Sequence, residues 1–280
     1  MKTEKSYNGT FLYFDYPINQ KSRYGYGKPP HPKLYEIINR GRETYKTYLN
    51  SFLEYRENLR KFANKAIKEH STEPSLFNPW LPGLDAVSLY SFIRLNKPKL
   101  YLEVGSGNST KFARRAIKDG GLNTKIISID PQPRAEVDLI CDEVIRKPVE
   151  TVDITIFDQL ESGDILFVDN SHRVFMNSDA TVMFLDVLYK LKPGVFVEFH
   201  DIFLPYDYPQ KWDKRHYSEQ YVLAGYILAE GSKFDIIMPN AFIAYDPYLK
   251  AIMSPLWELP EMTGVNKGGA SFWLKMREVS

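Results

Sequence analysis

The chain has 280 residues, and 44% of them are apolar, enough for a sizeable core and against a disordered chain. Lys and Arg number 36 and Asp and Glu 35, so the net charge is +1, without the basic excess or patch of a nucleic-acid-binding protein. The single cysteine, Cys141, excludes an internal disulfide and any multi-cysteine zinc cluster.

The N-terminus "MKTEKSYNGTFLYF" lacks the apolar core of a signal peptide. No apolar run approaches the roughly 20 residues that span a bilayer. A cytoplasmic location is expected. Residues 1–30 carry Gly, Pro and Tyr without a period and read as irregular. From Leu34 to Ile67 apolar residues recur at three- and four-residue steps, which predicts one long helix or two joined near Gly41. These helices offer a surface for homo-oligomer formation. The Pro-rich stretch "STEPSLFNPWLPG" (71–83) breaks the pattern. The expected division is therefore an irregular and helical extension over 1–83 and a second unit over 84–280.

In that second unit the rhythm changes. Helices are expected over 85–95, 109–118, 179–191 and 218–230. Strands are expected over 99–104, 124–130, 164–169, 195–200, 234–239 and 270–276, with a short one over 143–147. Strands and helices alternating at these lengths predict an α/β fold, a mostly parallel sheet covered on both faces.

In such a sheet ligands sit beyond the carboxyl ends of the strands. The first strand runs into "LEVGSGNSTKF", where Glu103 precedes the turn Gly105, Ser106, Gly107 and Asn108. Glycines there allow a tight turn and close approach of backbone N–H groups to a ligand. The second strand ends at Asp130, 23 positions after Gly107. A carboxylate at that distance can accept hydrogen bonds from both ribose hydroxyls of an adenosine. Two nucleotide-type ligands fit this pattern. A dinucleotide fold wants a third glycine, and that position is Thr110. S-adenosylmethionine has adenosine without phosphate, and its cationic sulfonium suits an acidic Glu103.

"LEVGSGNST" followed by "IISID" resembles the first two motifs of class I S-adenosylmethionine-dependent methyltransferases. The acidic–x–Gly–x–Gly pattern falls on Glu103, Gly105 and Gly107, and the ribose-binding acid on Asp130. The order of elements from 85 to 276 also looks like that family. The resemblance implies a Rossmann-like seven-stranded, mostly parallel sheet with an antiparallel last strand, and S-adenosylmethionine as cofactor. Glu103, Gly105, Ser106, Gly107, Asn108, Asp130 and Asp169 are the implied cofactor-binding residues.

Strands four and five end in "FVDNSH" and "VEFHDIF". As neighbours they would place their polar ends beside the methyl donor. A hydroxyl acceptor gains nucleophilicity when a base takes its proton, and His172 is the candidate base. Asp169 and Asp201 are candidate oxygen ligands for a divalent metal, with His200 between them. Two carboxylates suit Mg²⁺, and a His200 nitrogen suits Mn²⁺, Fe²⁺ or Zn²⁺ better. This constellation resembles metal-dependent O-methyltransferases acting on small-molecule or sugar hydroxyls, with His200 where that group has Glu. The resemblance implies a small-molecule or glycan substrate. Glu198 shares a strand face with His200. The aromatic segment 204–221, with Tyr206, Tyr208, Trp212, Arg215 and Tyr217, and the stretch 78–85 are candidates to wall the crevice. Two competing readings are a NAD(P)-dependent oxidoreductase on a Rossmann sheet and a non-catalytic methyltransferase-like binding module.

Overall fold

The computed structural model describes residues 15–64, 71–133, 136–229 and 233–278. The helical pattern expected at Ala66 and Ile67, the last residue of the expected 218–230 helix, and residues 1–14 lie outside them.

Seven short apolar runs become strands: β1 (Leu100–Val104), β2 (Lys125–Ile129), β3 (Glu143–Ile145), β4 (Ile165–Val168), β5 (Phe196–Phe199), β6 (Phe234–Pro239) and β7 (Phe272–Met276). They form one sheet in the order β3-β2-β1-β4-β5-β7-β6. The pairs β1–β2, β1–β4, β2–β3 and β4–β5 are parallel, and β7 runs antiparallel to both β5 and β6. Every residue of β1, β4 and β5 is buried, as expected for strands covered on both faces. The expected sheet and its reversed last strand are both present.

The helices before the sheet are α1 (Pro32–Asn39), α2 (Arg42–Phe52), the single turn α3 (Arg56–Leu59) and α4 (Gly83–Asn96). Pro32 opens α1, where its missing N–H costs nothing. Leu34, Ile38, Tyr45, Leu49 and Phe52 are buried and belong to the same core cluster as the strands. The apolar stripes of these helices thus face inward. Helix α4 is buried along Gly83–Ile93, which explains its lack of a polar face. Its Phe92 ring lies 5.3 Å from that of Phe52 on α2 and 4.5 Å from that of Trp273 on β7. The N-terminal helices therefore cover a helix that itself covers the sheet.

Helix α5 (Asn108–Gly120) follows β1 and stops at Gly121, whose left-handed backbone ends it. Helix α6 (Asp179–Val182) continues through a π turn (Met183–Val187) and a 3-10 turn (Leu188–Lys190) before β5. Helix α7 (Glu219–Leu228) precedes β6. Three short helices that the sequence pattern did not signal, α8 (Asn240–Tyr245), α9 (Pro247–Ile252) and α10 (Ser254–Trp257), fill the connection to β7. Among the described residues no helix is long and apolar enough to cross a membrane.

Two buried carboxylates tie these layers together. Asp164 accepts hydrogen bonds from the backbone N–H groups of Lys99 and Leu100, both at 2.8 Å, fixing the entry of β1 against β4. Asp85, in the first turn of α4, accepts from Ala270 N (2.8 Å), Ser271 N (2.8 Å) and Asn240 Nδ2 (2.7 Å). It joins α4 to the start of β7 and to α8. Asp85→Ala would strand these buried donors and is expected to destabilise the chain by roughly 3–5 kcal/mol. Urea denaturation measures this, and a loss below about 1 kcal/mol would show that the donors find other partners.

Candidate active site

Beyond Val104 the chain turns through Gly105, whose φ of +82° lies in the left-handed region. A Cβ there would stand 1.8 Å from the carbonyl oxygen of Asp169. Glycine is required because the ends of β1 and β4 touch. The Gly107 N–H donates to Thr110 Oγ1 (3.0 Å), and Thr110 Oγ1 donates to Glu103 Oε2 (2.5 Å). Tyr101 Oη donates to the other Glu103 oxygen at 2.9 Å. Thr110, where a dinucleotide fold would have glycine, thus pins the loop to the acid beneath it. Burial pushes Glu103 up to about 7, although the hydrogen bonds from Ser109, Thr110 and Tyr101 oppose this. Glu103, expected to contact the cofactor, lies fully buried under the loop and braces it from below.

Above the loop opens a cavity of about 830 Å³. Gly105, Ser106, Gly107, Asn108, Asp130 and Asp169 line it, together with Asn78, Pro79 and Trp80 from the 78–85 stretch. The Asp130 carboxylate accepts from Ser106 N and Gln132 N, both at 2.7 Å. It is thereby held at the end of β2, facing the glycine turn. Asn78 Oδ1 accepts from Leu81 N (2.7 Å) and Asn108 Nδ2 (3.2 Å), so the N-terminal part of the chain forms one wall.

Behind Asp169 the structure gathers a network from α4, α7 and the ends of β4 and β5. His172 and Asp201 both have left-handed backbones, φ +60° and +56°. Such conformations are costly for residues with a Cβ and cluster at functional sites. An Asn170 side chain accepting from His172 N (2.8 Å) and Ser218 N donating to the His172 carbonyl (2.8 Å) hold the first of these turns. His172 Nδ1 lies 2.6 Å from Glu219 Oε1, and its Nε2 lies 3.2 Å from Asp169 Oδ1 and 3.5 Å from Asp201 Oδ2. His200 Nε2 lies 3.4 Å from Asp85 Oδ2. Its Nδ1 lies 3.6 Å from Asp169 Oδ1 and 3.7 Å from Asp201 Oδ1. The Tyr217 ring packs on His172 at 4.5 Å between centroids.

The charges follow from this geometry. Burial works against the charged form of His172, but Glu219, Asp169 and Asp201 outweigh it and hold the imidazole pKa well above the usual value. His200 is raised in the same way by Asp169, Asp85 and Asp201 against burial. Burial also opposes the charge on Asp169, yet His200 and His172 pull its pKa far below the ordinary carboxylate range. Glu198, on the same strand as His200, is fully enclosed, and burial raises its pKa well above normal.

His172, His200, Asp169 and Asp201 therefore meet, as their strand ends implied. The expected metal trio of Asp169, His200 and Asp201 does not fit a cation. His172 Nε2 and His200 Nδ1 each lie within 3.7 Å of both carboxylates, and neither His200 nitrogen makes a hydrogen bond. Among the described residues no group of three or more His, Cys, Asp or Glu side chains is disposed to hold a metal ion. Glu219 and Asp85 were not legible as partners of these histidines. Each reads simply as an acid in the first turn of a helix.

Residues 102–202 match a family model described as a methyltransferase domain. Over this segment the chain is similar to a methyltransferase domain. This matched segment runs from within β1 to just past β5 and contains the glycine turn, Asp130, Asp169, His172, His200 and Asp201. Several solved structures share the fold loosely. A Podospora anserina methyltransferase bound to S-adenosylhomocysteine (SAH) is 16% identical, with 81% of this chain and 88% of that one covered and a TM-score of 0.42. The Streptomyces achromogenes O-methyltransferase TomG, involved in tomaymycin synthesis, is 16% identical, covering 78% and 95%, with a TM-score of 0.36. A Bacillus cereus O-methyltransferase is 13% identical, covering 83% and 91%, with a TM-score of 0.34. No curated protein matches the chain.

Gly105 gives the sharpest test of whether the glycine turn holds a cofactor. Gly105→Ala must displace the Asp169 backbone and abandon its φ, and is expected to weaken SAH binding at least about tenfold. Isothermal titration calorimetry reads this directly. An unchanged dissociation constant would mean that the loop does not carry the cofactor.

Proposed function

We propose that this chain transfers the methyl group of S-adenosylmethionine to a hydroxyl oxygen of a small molecule or sugar, with residues 84–280 as the catalytic unit and His172 as the proton acceptor. The observation that carries the proposal is the position of Asp169. It lines the cofactor-sized cavity on one side and lies 3.2 Å from His172 Nε2 on the other. Asp130 and the turn Gly105–Asn108 are the cofactor's proposed contacts, with Asp130 accepting from the ribose hydroxyls.

The chemistry asked of the protein is small. The carbon–sulfur bond of the sulfonium breaks as a carbon–oxygen bond forms, and the hydroxyl proton must leave. The donor is already activated, so most of the catalysis is alignment of donor and acceptor. Glu219 fixes the His172 ring through Nδ1 and leaves Nε2 facing Asp169 and Asp201. Nε2 is thus the nitrogen that would take the proton. No step is assigned to a metal.

Two outcomes are expected. With labelled S-adenosylmethionine and a panel of hydroxyl compounds, His172→Ala should lower kcat by about 10²- to 10⁴-fold. Equal rates in the two proteins would remove His172 from the mechanism. The pH profile carries a sign. A base must be unprotonated to act, and the pKa of His172 is raised. The rate should therefore climb with pH, with its midpoint above the usual histidine value of about 6.5. Removing the charge on Glu219, the largest influence raising that pKa, should move the midpoint to lower pH in Glu219→Gln. A midpoint that stays put or moves upward would contradict this assignment.

A further inference from the structure

The irregular segment 20–31 is fastened to the loop after β5 along its length. His31 N donates to the Pro205 carbonyl at 3.0 Å. Gln210 Nε2 donates to the Gln20 carbonyl at 2.7 Å, and Ser22 N donates to Gln210 Oε1 at 3.0 Å. Gln20 Nε2 meets His216 Nδ1 at 2.6 Å. The centre of this seam is Asp207. Its Oδ2 accepts from the backbone N–H groups of Arg23 (2.5 Å) and Tyr24 (3.0 Å). Its own N–H donates to the Tyr24 carbonyl at 3.2 Å, and its carbonyl accepts from Tyr26 Oη at 3.0 Å. Its remaining carboxylate oxygen accepts from Tyr221 Oη at 3.1 Å.

Tyr221 sits in the first turn of α7, the turn that presents Glu219 to His172. The loop reaches the same place by a second route. Tyr208, buried beneath the loop, accepts from Gln220 N at 3.2 Å and packs at 5.8 Å against Tyr217, the ring that lies on His172. One carboxylate thus links a segment almost 200 residues away in sequence to the turn that carries Glu219, while its neighbour Tyr208 packs on Tyr217. A loop with only local contacts would leave Glu219 and Tyr217 free to drift, and small displacements of a catalytic group are expensive in rate.

We infer that Asp207 is a positioning residue: through it the N-terminal segment 20–31 fixes the first turn of α7, and hence the His172–Glu219 pair. This inference rests on the proposed role of His172 only for its consequence in catalysis, because the clamp itself can be read without any acceptor.

The test uses the full chain labelled with ¹⁵N-histidine. A His172 Nδ1–H held 2.6 Å from a buried carboxylate should give a far-downfield, slowly exchanging proton signal, assigned by its loss in His172→Gln. Asp207→Ala should broaden or abolish that signal, with SAH affinity within about twofold of wild type, since the cavity is lined by other residues. Asp207→Asn should restore it, because the amide oxygen can still accept from Arg23 and Tyr24. Where methyl transfer is measurable, Asp207→Ala should lower kcat about tenfold with little change in the KM for S-adenosylmethionine. An unchanged His172 signal in Asp207→Ala overturns the inference, as does loss of the signal in Asp207→Asn. If Asp207→Ala fails to fold, Tyr26→Phe decides. It removes a single hydroxyl, and a weakened His172 signal supports the clamp whereas an unaltered one refutes it. Absence of methyl transfer to every hydroxyl compound, with the signal behaving as expected, would sink the proposed reaction and leave the clamp standing.

Discussion

The structure depends on one constraint, the balance of charge in a buried space where the sheet ends. Four carboxylates, from Asp85, Asp169, Asp201 and Glu219, meet two imidazoles, from His172 and His200, within 3.7 Å. In a low-dielectric interior an uncompensated charge is far more costly than the same charge in water. Each group is therefore tolerable only while the others stay in place. The groups come from α4, α7 and the ends of β4 and β5, so the network locks the two layers of helices to the carboxyl edge of the sheet.

The same constraint explains why part of the site could be read from the sequence and part could not. Glycine after an apolar run, and acids at the ends of the next strands, are local signals with a local cause. The chain needs a turn at Gly105, and the strand ends are where polar groups can meet a ligand. Those signals place Asp130, Asp169, His172 and Asp201 without any knowledge of packing. Glu219 is 47 residues from His172 and Asp85 precedes the whole motif. Their roles arise only when α7 and α4 dock, and neither spacing nor composition encodes the docking. Glu103 shows the converse. Its motif position was legible, but strand alternation puts it on the face of Tyr101, so it braces the loop rather than lining the cavity.

Short elements failed for a different reason. The apolar strands of four to six residues have a clear signature because both faces of the sheet are covered. Helices α8 to α10 each run four to six residues, and Pro247 and Pro255 interrupt the stretch they occupy. No periodicity can develop over one turn, and tertiary packing supplies what local propensity lacks. Leu249, Leu256 and Phe242 from these helices are nearly inaccessible to solvent.

A strained backbone needs support from several sides, and this requirement unites the N-terminal segment with the chemistry. His172 and Asp201 occupy left-handed conformations that their own side chains disfavour. The turn at His172 is held from below by Asn170 and from the side by Ser218 and Glu219, whose position depends in turn on the loop after β5. That loop is long and rich in polar backbone, and alone it would be among the weakest parts of the fold. Its seam with residues 20–31 and the aromatic contacts of Tyr208, Trp212 and Tyr217 convert it into a fixed wall. The extension before the sheet is thus tied to the rest of the fold, by the helices that cover α4 and by the segment that secures α7. A change far from His172 in sequence can therefore loosen it without touching the cavity above the glycine turn, which is why binding and turnover should separate when the seam is cut.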